Sequence, residues 1–414
     1  MVETIPAGHR LARLLALLIA GVLVIMLVVW VLSDPATNLM TDWTAFDNAA
    51  DRVVSGERVY RPFNAETEPL PYLYPPFALW LALPLAATGF YGSFAISAIG
   101  TFVAFVVGLR LYIASERGGF DATTGMILAV ASGAAVSSTL IGQYSGVYVL
   151  SLGLAAWLWA KDRQFLAGLA LALLWLKPNI AIAVPVVLVF SRSWRSSAGF
   201  LGGSIAVFLS SLPFGIGAWS AFFGNAQMMA ELQRDNIVPF EKMVSILGGA
   251  QSVFGFESQS PAAIGLFLAV AAISGVSVLT LWTPSALSVS HMRAFGGLAV
   301  FVVVANPRLY FYDATLVAFG MLGLWGSAHI YGGAIAKRWL PALSVLTWFF
   351  LWGGVFVALN KMVGVLAAAG LIATAVDTWK VKSATTQSAV SHLSGLKERD
   401  SAVETLGVVD DLAA

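Results

Sequence analysis

From Leu11 to Leu32 the chain carries a single charge, Arg13, and apolar runs of similar character recur as far as Trp379. A helix needs about 20 such residues to cross the hydrocarbon core of a bilayer. Inside that core every backbone N–H and C=O must find its partner within the protein, so long apolar runs read as helices. The composition agrees, with 58% hydrophobic and 11% charged residues and a mean hydropathy of +0.82. Soluble domains carry about 25% charged residues. The expected fold is an all-α polytopic membrane protein.

The same composition excludes several chemistries. A net charge of +1 and the lack of any basic cluster argue against a nucleic-acid partner. There are no cysteines, hence no disulfides and no thiolate nucleophile or ligand. The histidines, His9, His291, His329 and His392, lack metal-ligand spacing, so no metal and no cofactor is expected. The first run exceeds the roughly 7–15-residue core of a signal peptide and reads as an uncleaved anchor.

Arg10 and Arg13 favour an N-terminus inside the cell. Phe77 to Ala87 is too short to span and reads as a helix at, or angled into, the outer interface. Ser93 to Ile113 crosses to an inner loop marked by Arg110, Glu116 and Arg117. Thr124 to Ile141 leads out to a polar hinge, Gly142-Gln143-Tyr144-Ser145-Gly146, and Val147 to Ala160 returns to Lys161 and Arg163. Phe165 to Phe190 has the length of one helix, but Lys177-Pro178-Asn179 interrupts it. Proline removes a helical hydrogen bond and turns the preceding residue away from helix. A lysine at that depth is costly unless it faces protein or water. One helix would carry Arg192 and Arg195 outside; two short helices meeting at Lys177 return them inside, as the positive-inside rule prefers.

Phe200 to Ile216 then leads to a second outer loop, residues 218–260. Ala262 to Trp282, Ala294 to Ala305, Ala314 to Tyr331, Leu340 to Leu359 and Val363 to Trp379 follow. A polar break, Asn306 to Asp313, divides the second of these from the third. The expectation is about twelve membrane-entering helices in one domain, residues 1–382, with both termini inside. The Ser/Thr-rich, charged tail 383–414 reads as disordered. This topology puts fifteen of the 23 Lys and Arg residues inside.

Residues 33–76 form a first outer loop unlike its surroundings. Counting Asp34, it holds seven of the chain's 22 acidic residues, and it closes on Tyr74-Pro75-Pro76. Phe46, Ala49, Ala50, Val53 and Val54 have the spacing of one helix face, so a short amphipathic helix is expected from Phe46 to Val54, ended by Ser55-Gly56. Asp47 and Asp51 fall on its opposite, solvated face. In this topology Asp42, Tyr74, Gln143, Lys177 and the 306–313 break all reach the outer side. Packing alone does not require that.

Several of these segments, in order, resemble glycosyltransferase family 87, the polyprenol-phosphate-dependent enzymes with the C-type glycosyltransferase fold. They are Thr41-Asp42-Trp43, Val59-Tyr60, Tyr72-Leu73-Tyr74-Pro75-Pro76, Gly142-Gln143, Leu176-Lys177-Pro178, Lys242-Met243-Val244-Ser245, and Asn306-Pro307 leading to Tyr312-Asp313. The resemblance implies a polyprenyl-phosphate-sugar donor and transfer with inversion. The hydroxyl acceptor would be a lipid or glycan on the outer face of a bacterial inner membrane. It is similar to the mannosyltransferases of that family, and it implies that Asp42 is the functional aspartate. Where many relatives have Ser-Pro and a downstream histidine, this chain has Asn306-Pro307-Arg308.

Inverting transfer needs a base for the acceptor's proton and charge stabilisation for the departing phosphate. Asp42 suits the base; as a favoured N-cap residue it also suits capping the helix behind it. Lys177 and Arg308 are candidates for the donor phosphate, although Lys177 would equally pair with a carboxylate or snorkel to the interface. Gln143, Tyr74, Tyr310 and Asp313 are candidates for substrate contact, with Asp313 also suited to orienting Arg308. The competing class is a polytopic transporter, which shares broken helices and intramembrane charge. Two long loops on one side and the lack of an internal repeat favour the enzyme.

Overall fold

The computed structural model describes residues 40–61, 71–116, 122–234, 243–247, 260–307, 309–356 and 362–380, with 14, 17–19, 21–26, 29 and 33 before them and 383 after. Half of the expected anchor at 11–32 lies outside them, and the expected disordered tail almost wholly. Among the described residues every regular element is helical, apart from an isolated antiparallel bridge between Met243 and Tyr310.

The first helix described over its whole length, α1, spans Thr41–Val54. It starts at Thr41 and not at Phe46, because Met40 takes a left-handed conformation (φ 58°) and its carbonyl accepts from the Thr44 N–H at 3.1 Å. Asp42 therefore lies in the first turn, where a carboxylate suits the positive end of the helix, and Met40 occupies the N-cap with no side-chain capping bond. The capping role considered for Asp42 is overturned. At the other end Gly56 (φ 74°) lets Gly56 N donate to Val53 O and Glu57 N to Arg52 O, a Schellman stop. Trp43, Phe46, Ala49 and Ala50 are buried against the bundle. Asp51 is exposed as expected, but Asp47 is half-buried.

After short turns over Pro76–Ala78, Leu79–Ala82 and Leu83–Thr88 comes α2 (Gly89–Ala114). The expected helix 124–141 is divided into α3 (Ala122–Val130) and α4 (Gly133–Ile141), the latter capped by Ser132. Beyond the hinge, α5 (Ser145–Ala160) runs parallel to α2: Gly146 lies against Thr101 and Gly153 against Gly108. A Cβ at either glycine would fall 2.0 Å from a carbonyl oxygen of α2. Small residues let the two backbones touch, as helices in lipid favour.

The Lys177 break is present. α6 (Gln164–Leu171) continues as a 3-10 turn to Leu176, Lys177 is extended (φ −135°), and Pro178–Ala181 begins a second rod completed by α7 (Ala183–Phe190). α8 (Trp194–Ser210) lies along α6. Ser196 Oγ donates to Gln164 O at 2.9 Å, and Trp175 Nε1 to Ser204 Oγ at 2.7 Å. Those contacts advance together along both segments, so α6 and α8 are parallel and residues 178–190 double back between them. The second long loop opens on a helix, α9 (Ile216–Arg234).

Then come α10 (Pro261–Leu281), α11 (His291–Val304), α12 (Thr315–Tyr331), α13 (Ala334–Phe356) and α14 (Val363–Lys380). α11 is buried from Met292 to Val304, and α12 nearly throughout, so with α5 they form the core. On α8, by contrast, Leu201, Ile205 and Phe208 are 61%, 50% and 46% exposed. Apolar side chains turned outward on a rim helix fit lipid.

Among the described residues, six helices are long and apolar enough to cross a membrane: Pro76–Ala114, Trp194–Phe214, Pro261–Leu281, Phe311–Tyr331, Ala334–Trp352 and Val363–Lys380. Shorter apolar rods, such as Ser145–Ala160, Gln164–Leu176, Pro178–Phe190 and His291–Val304, are packed among them.

Candidate active site

The start of α1, the α4–α5 hinge, the Lys177 break and the α11–α12 break meet at one end of the bundle. Met40 N donates to Leu140 O at 3.0 Å, tying α1 to the end of α4. Gly142 (φ 85°) ends α4 in the left-handed conformation and lies against Trp43, so close that a Cβ there would be 2.6 Å from Trp43 Cβ. Glycine is thus required twice, for its dihedral and for its size. The next residue, Gln143, is buried and faces the first turn of α1.

Gln143 Nε2 donates to Asp42 Oδ2, and Gln143 Oε1 accepts the Tyr74 hydroxyl. Three residues from three segments form one hydrogen-bonded chain. Tyr74 is held by Phe46, whose ring lies 4.3 Å away, and by Tyr60 Oη, which donates to Tyr74 O at 2.6 Å. Burial pushes the Tyr74 phenol well above its ordinary pKa, and the nearby charges of Asp42 and Asp313 act in the same direction. It therefore stays a neutral donor. Elsewhere on α1, Trp43 Nε1 donates to Ser93 Oγ at 2.9 Å and Ser93 Oγ to Asp47 Oδ1 at 3.0 Å. These bonds fix α1 to α2, and they replace the solvated role expected for Asp47.

The second half of the site is an ion pair. Lys177 Nζ lies 2.5 Å from Asp313 Oδ2, and the Lys177 side chain is 16% exposed while that of Asp313 is fully buried. Lys177 also stands over the Tyr312 ring at 4.9 Å, a cation–π contact. Asp313 Oδ2 further accepts from the Tyr310 backbone N–H at 3.3 Å, while Oδ1, also buried, meets no hydrogen-bond donor among the described residues. The rings of Tyr310 and Tyr312 are nearly parallel, 5.7 Å apart.

Three contacts knit the breaks together. Asn306 Nδ2 donates to Asn179 O at 2.9 Å, Val244 N to Leu309 O at 2.9 Å, and Ser145 Oγ to Tyr312 O at 3.3 Å. Asp42 and Asp313 are both close enough for their charges to act on Tyr74 and Tyr312.

Asp42, Gln143 and Tyr74 thus form one cluster and Lys177, Asp313 and Tyr310 the other, with Tyr312 between them. Arg308 lies outside the described residues. Of the two alternatives for Lys177, pairing with a carboxylate is what the chain adopts, and Asp313 is that partner. Tyr312 and Gly142, which the sequence places in these motifs without a role, gain one here: Tyr312 lies under the Lys177 ammonium and Gly142 seats the hinge against Trp43.

An all-helical membrane protein with a carboxylate, an amide and an ion pair gathered at the ends of several helices is the class that fold and site define. The model of glycosyltransferase family 87 matches residues 72–307, more than half of the chain. The chain belongs to that family and is a membrane glycosyltransferase, with a sugar donor and an acceptor. The matched stretch includes Tyr74, Gln143 and Lys177; Asp42 precedes it and Asp313 follows it. No curated protein and no solved structure gives a match.

Proposed function

We propose that this protein is an inverting glycosyltransferase that moves a sugar from a polyprenyl-phosphate donor to a hydroxyl acceptor. The acceptor is a lipid or glycan on the outer face of a bacterial inner membrane, both termini of the chain are cytoplasmic, and the motifs of the family favour mannose. In the reaction the acceptor oxygen bonds to the anomeric carbon while the bond from that carbon to the phosphate oxygen breaks. The acceptor proton passes to Asp42, and the lipid phosphate leaves with the electron pair. The transfer balances without a cofactor.

What carries this reading is the meeting of an acceptor-only carboxylate, Asp42, and a lysine–aspartate pair at one end of a lipid-exposed bundle. A base and a cation are the two things the transfer needs. An ammonium has three donors, so Lys177 can keep Asp313 and still reach a phosphate oxygen; Arg308 is the second candidate for that phosphate. The buried Oδ1 of Asp313 suits a sugar hydroxyl, and the tyrosines 310 and 312 suit the apolar face of a sugar ring.

The test is release of lipid phosphate by the purified protein in detergent, given polyprenyl-phosphate mannose and an alkyl mannoside. Asp42→Asn should abolish transfer and leave donor binding intact. Full turnover by that variant would remove Asp42 as base, and uptake of a solute by vesicles with no release of phosphate would favour a transporter.

A further inference from the structure

The geometry points to Gln143 as the positioning residue that holds the Asp42 carboxylate in its reacting orientation, with Tyr74 fixing the direction of the Gln143 amide. This rests on Asp42 being the base.

An amide in a protein can usually flip, because its oxygen and nitrogen ends have the same shape. Here both ends are specified. An ionised carboxylate accepts and cannot donate, so the end of Gln143 that faces Asp42 has to be Nε2. The other end faces the Tyr74 hydroxyl, which donates into Oε1. Reversing the amide would set two oxygens against each other at Asp42. Gln143 is 3% exposed, so water does not compete for these bonds.

The backbone is committed to the same end. Gly142 is the residue that lets the hinge lie against Trp43, the neighbour of Asp42 in α1. Gln143 N donates to Ser138 O at 2.8 Å, which anchors the side chain at its root. Tyr74 in turn lies among the rings of Phe46, Tyr72 and Tyr144. A buried donor bonded to one carboxylate oxygen fixes the plane in which Asp42 presents its carboxylate. A hydrogen bond to the charged state of a carboxylate favours that state, so loss of such a donor is read in the acid limb of a pH profile. Gln143 then acts through Asp42 and needs no contact with either substrate.

The experiment is the pH dependence of kcat/KM for the full chain in detergent, with polyprenyl-phosphate mannose as donor and an alkyl mannoside as acceptor. Gln143→Leu removes the donor, so the acid limb should move up by about one unit. Its kcat should fall at least tenfold, while KM for the donor holds. Gln143→Glu puts a second carboxyl beside Asp42 and should move the limb further. Tyr74→Phe should move it in the same direction by less, and it carries the test should Gln143→Leu fail to fold, because it deletes one oxygen atom. An acid limb that stays in place while kcat falls would overturn the proposal, as would a rise in KM at unchanged kcat, which marks a substrate contact. Turnover by Asp42→Asn would remove the base itself; a dead Asp42→Asn beside an unmoved limb would remove only the positioning role.

Discussion

Lys177 and Asp313, 136 residues apart in the chain, meet at 2.5 Å with the carboxylate side chain fully buried. Breaking a buried pair from one side leaves an uncompensated charge and costs about 3–5 kcal/mol, whereas replacing both partners by apolar residues is often neutral. Lys177→Met is therefore expected to lower the melting temperature markedly in detergent. The double variant Lys177→Met/Asp313→Leu is expected to recover most of that loss and still transfer no sugar. Recovery of both stability and transfer would show that the pair serves packing alone.

Gly142 gives a second prediction. Its φ of 85° and the 2.6 Å that would separate a new Cβ from Trp43 Cβ oppose any side chain there. A non-glycine residue held in such a conformation costs about 1–3 kcal/mol. To relieve the clash, Gly142→Ala has to draw the hinge away from α1 and take Gln143 with it. Transfer should fall much further than the melting temperature does, as assays of lipid-phosphate release beside thermal unfolding will read. A variant that keeps full activity would show that the hinge can shift without disturbing Asp42.

The helical class, the hinge at 142–146 and the break at Lys177 were legible in the sequence because each is a local effect. Apolar length dictates helices in lipid, and Pro178 forbids the hydrogen bond that a continuous helix would need. The start of α1 was not legible, since it depends on Met40 adopting a left-handed dihedral that few residues of its kind accept. Nor was the helix 216–234, whose mixture of aromatic and polar residues carries no clear stripe. Asp42, Tyr74, Gln143, Lys177 and Asp313 could each be singled out by type and place. Their pairings could not, because Gln143 reaches Asp42 and Lys177 reaches Asp313 only after the helices have packed.

Asp47 supplies a pH test. Burial holds its carboxyl above the ordinary value of 3.8; the Ser93 hydrogen bond opposes that rise and the charge of Asp51 adds to it. A pKa that is higher folded than unfolded means that the folded state binds the proton more tightly, so stability through this group falls as pH rises. The contribution is absent at neutral pH, appears as pH drops through the folded pKa and is complete below 3.8. Asp47→Asn, uncharged throughout, is expected to melt at or above the wild type at neutral pH, with the wild type catching up in acid. A gap that widens as pH falls would contradict the assignment.

Two glycines of α2 separate contact from propensity. At Gly108 a Cβ would meet the backbone of Val149 and Leu150 on α5 at 2.6 Å, and backbone cannot yield as a flexible side chain does. At Gly100, on the same helix, nothing lies within 4 Å. Gly100→Ala removes a poor helix former and should be neutral or stabilising by up to about 1 kcal/mol. Gly108→Ala forces α2 and α5 apart, and because α5 begins at the hinge that carries Gln143, it should lower both the melting temperature and transfer. If the two variants melt alike, the close approach of α2 and α5 does not set the position of the hinge.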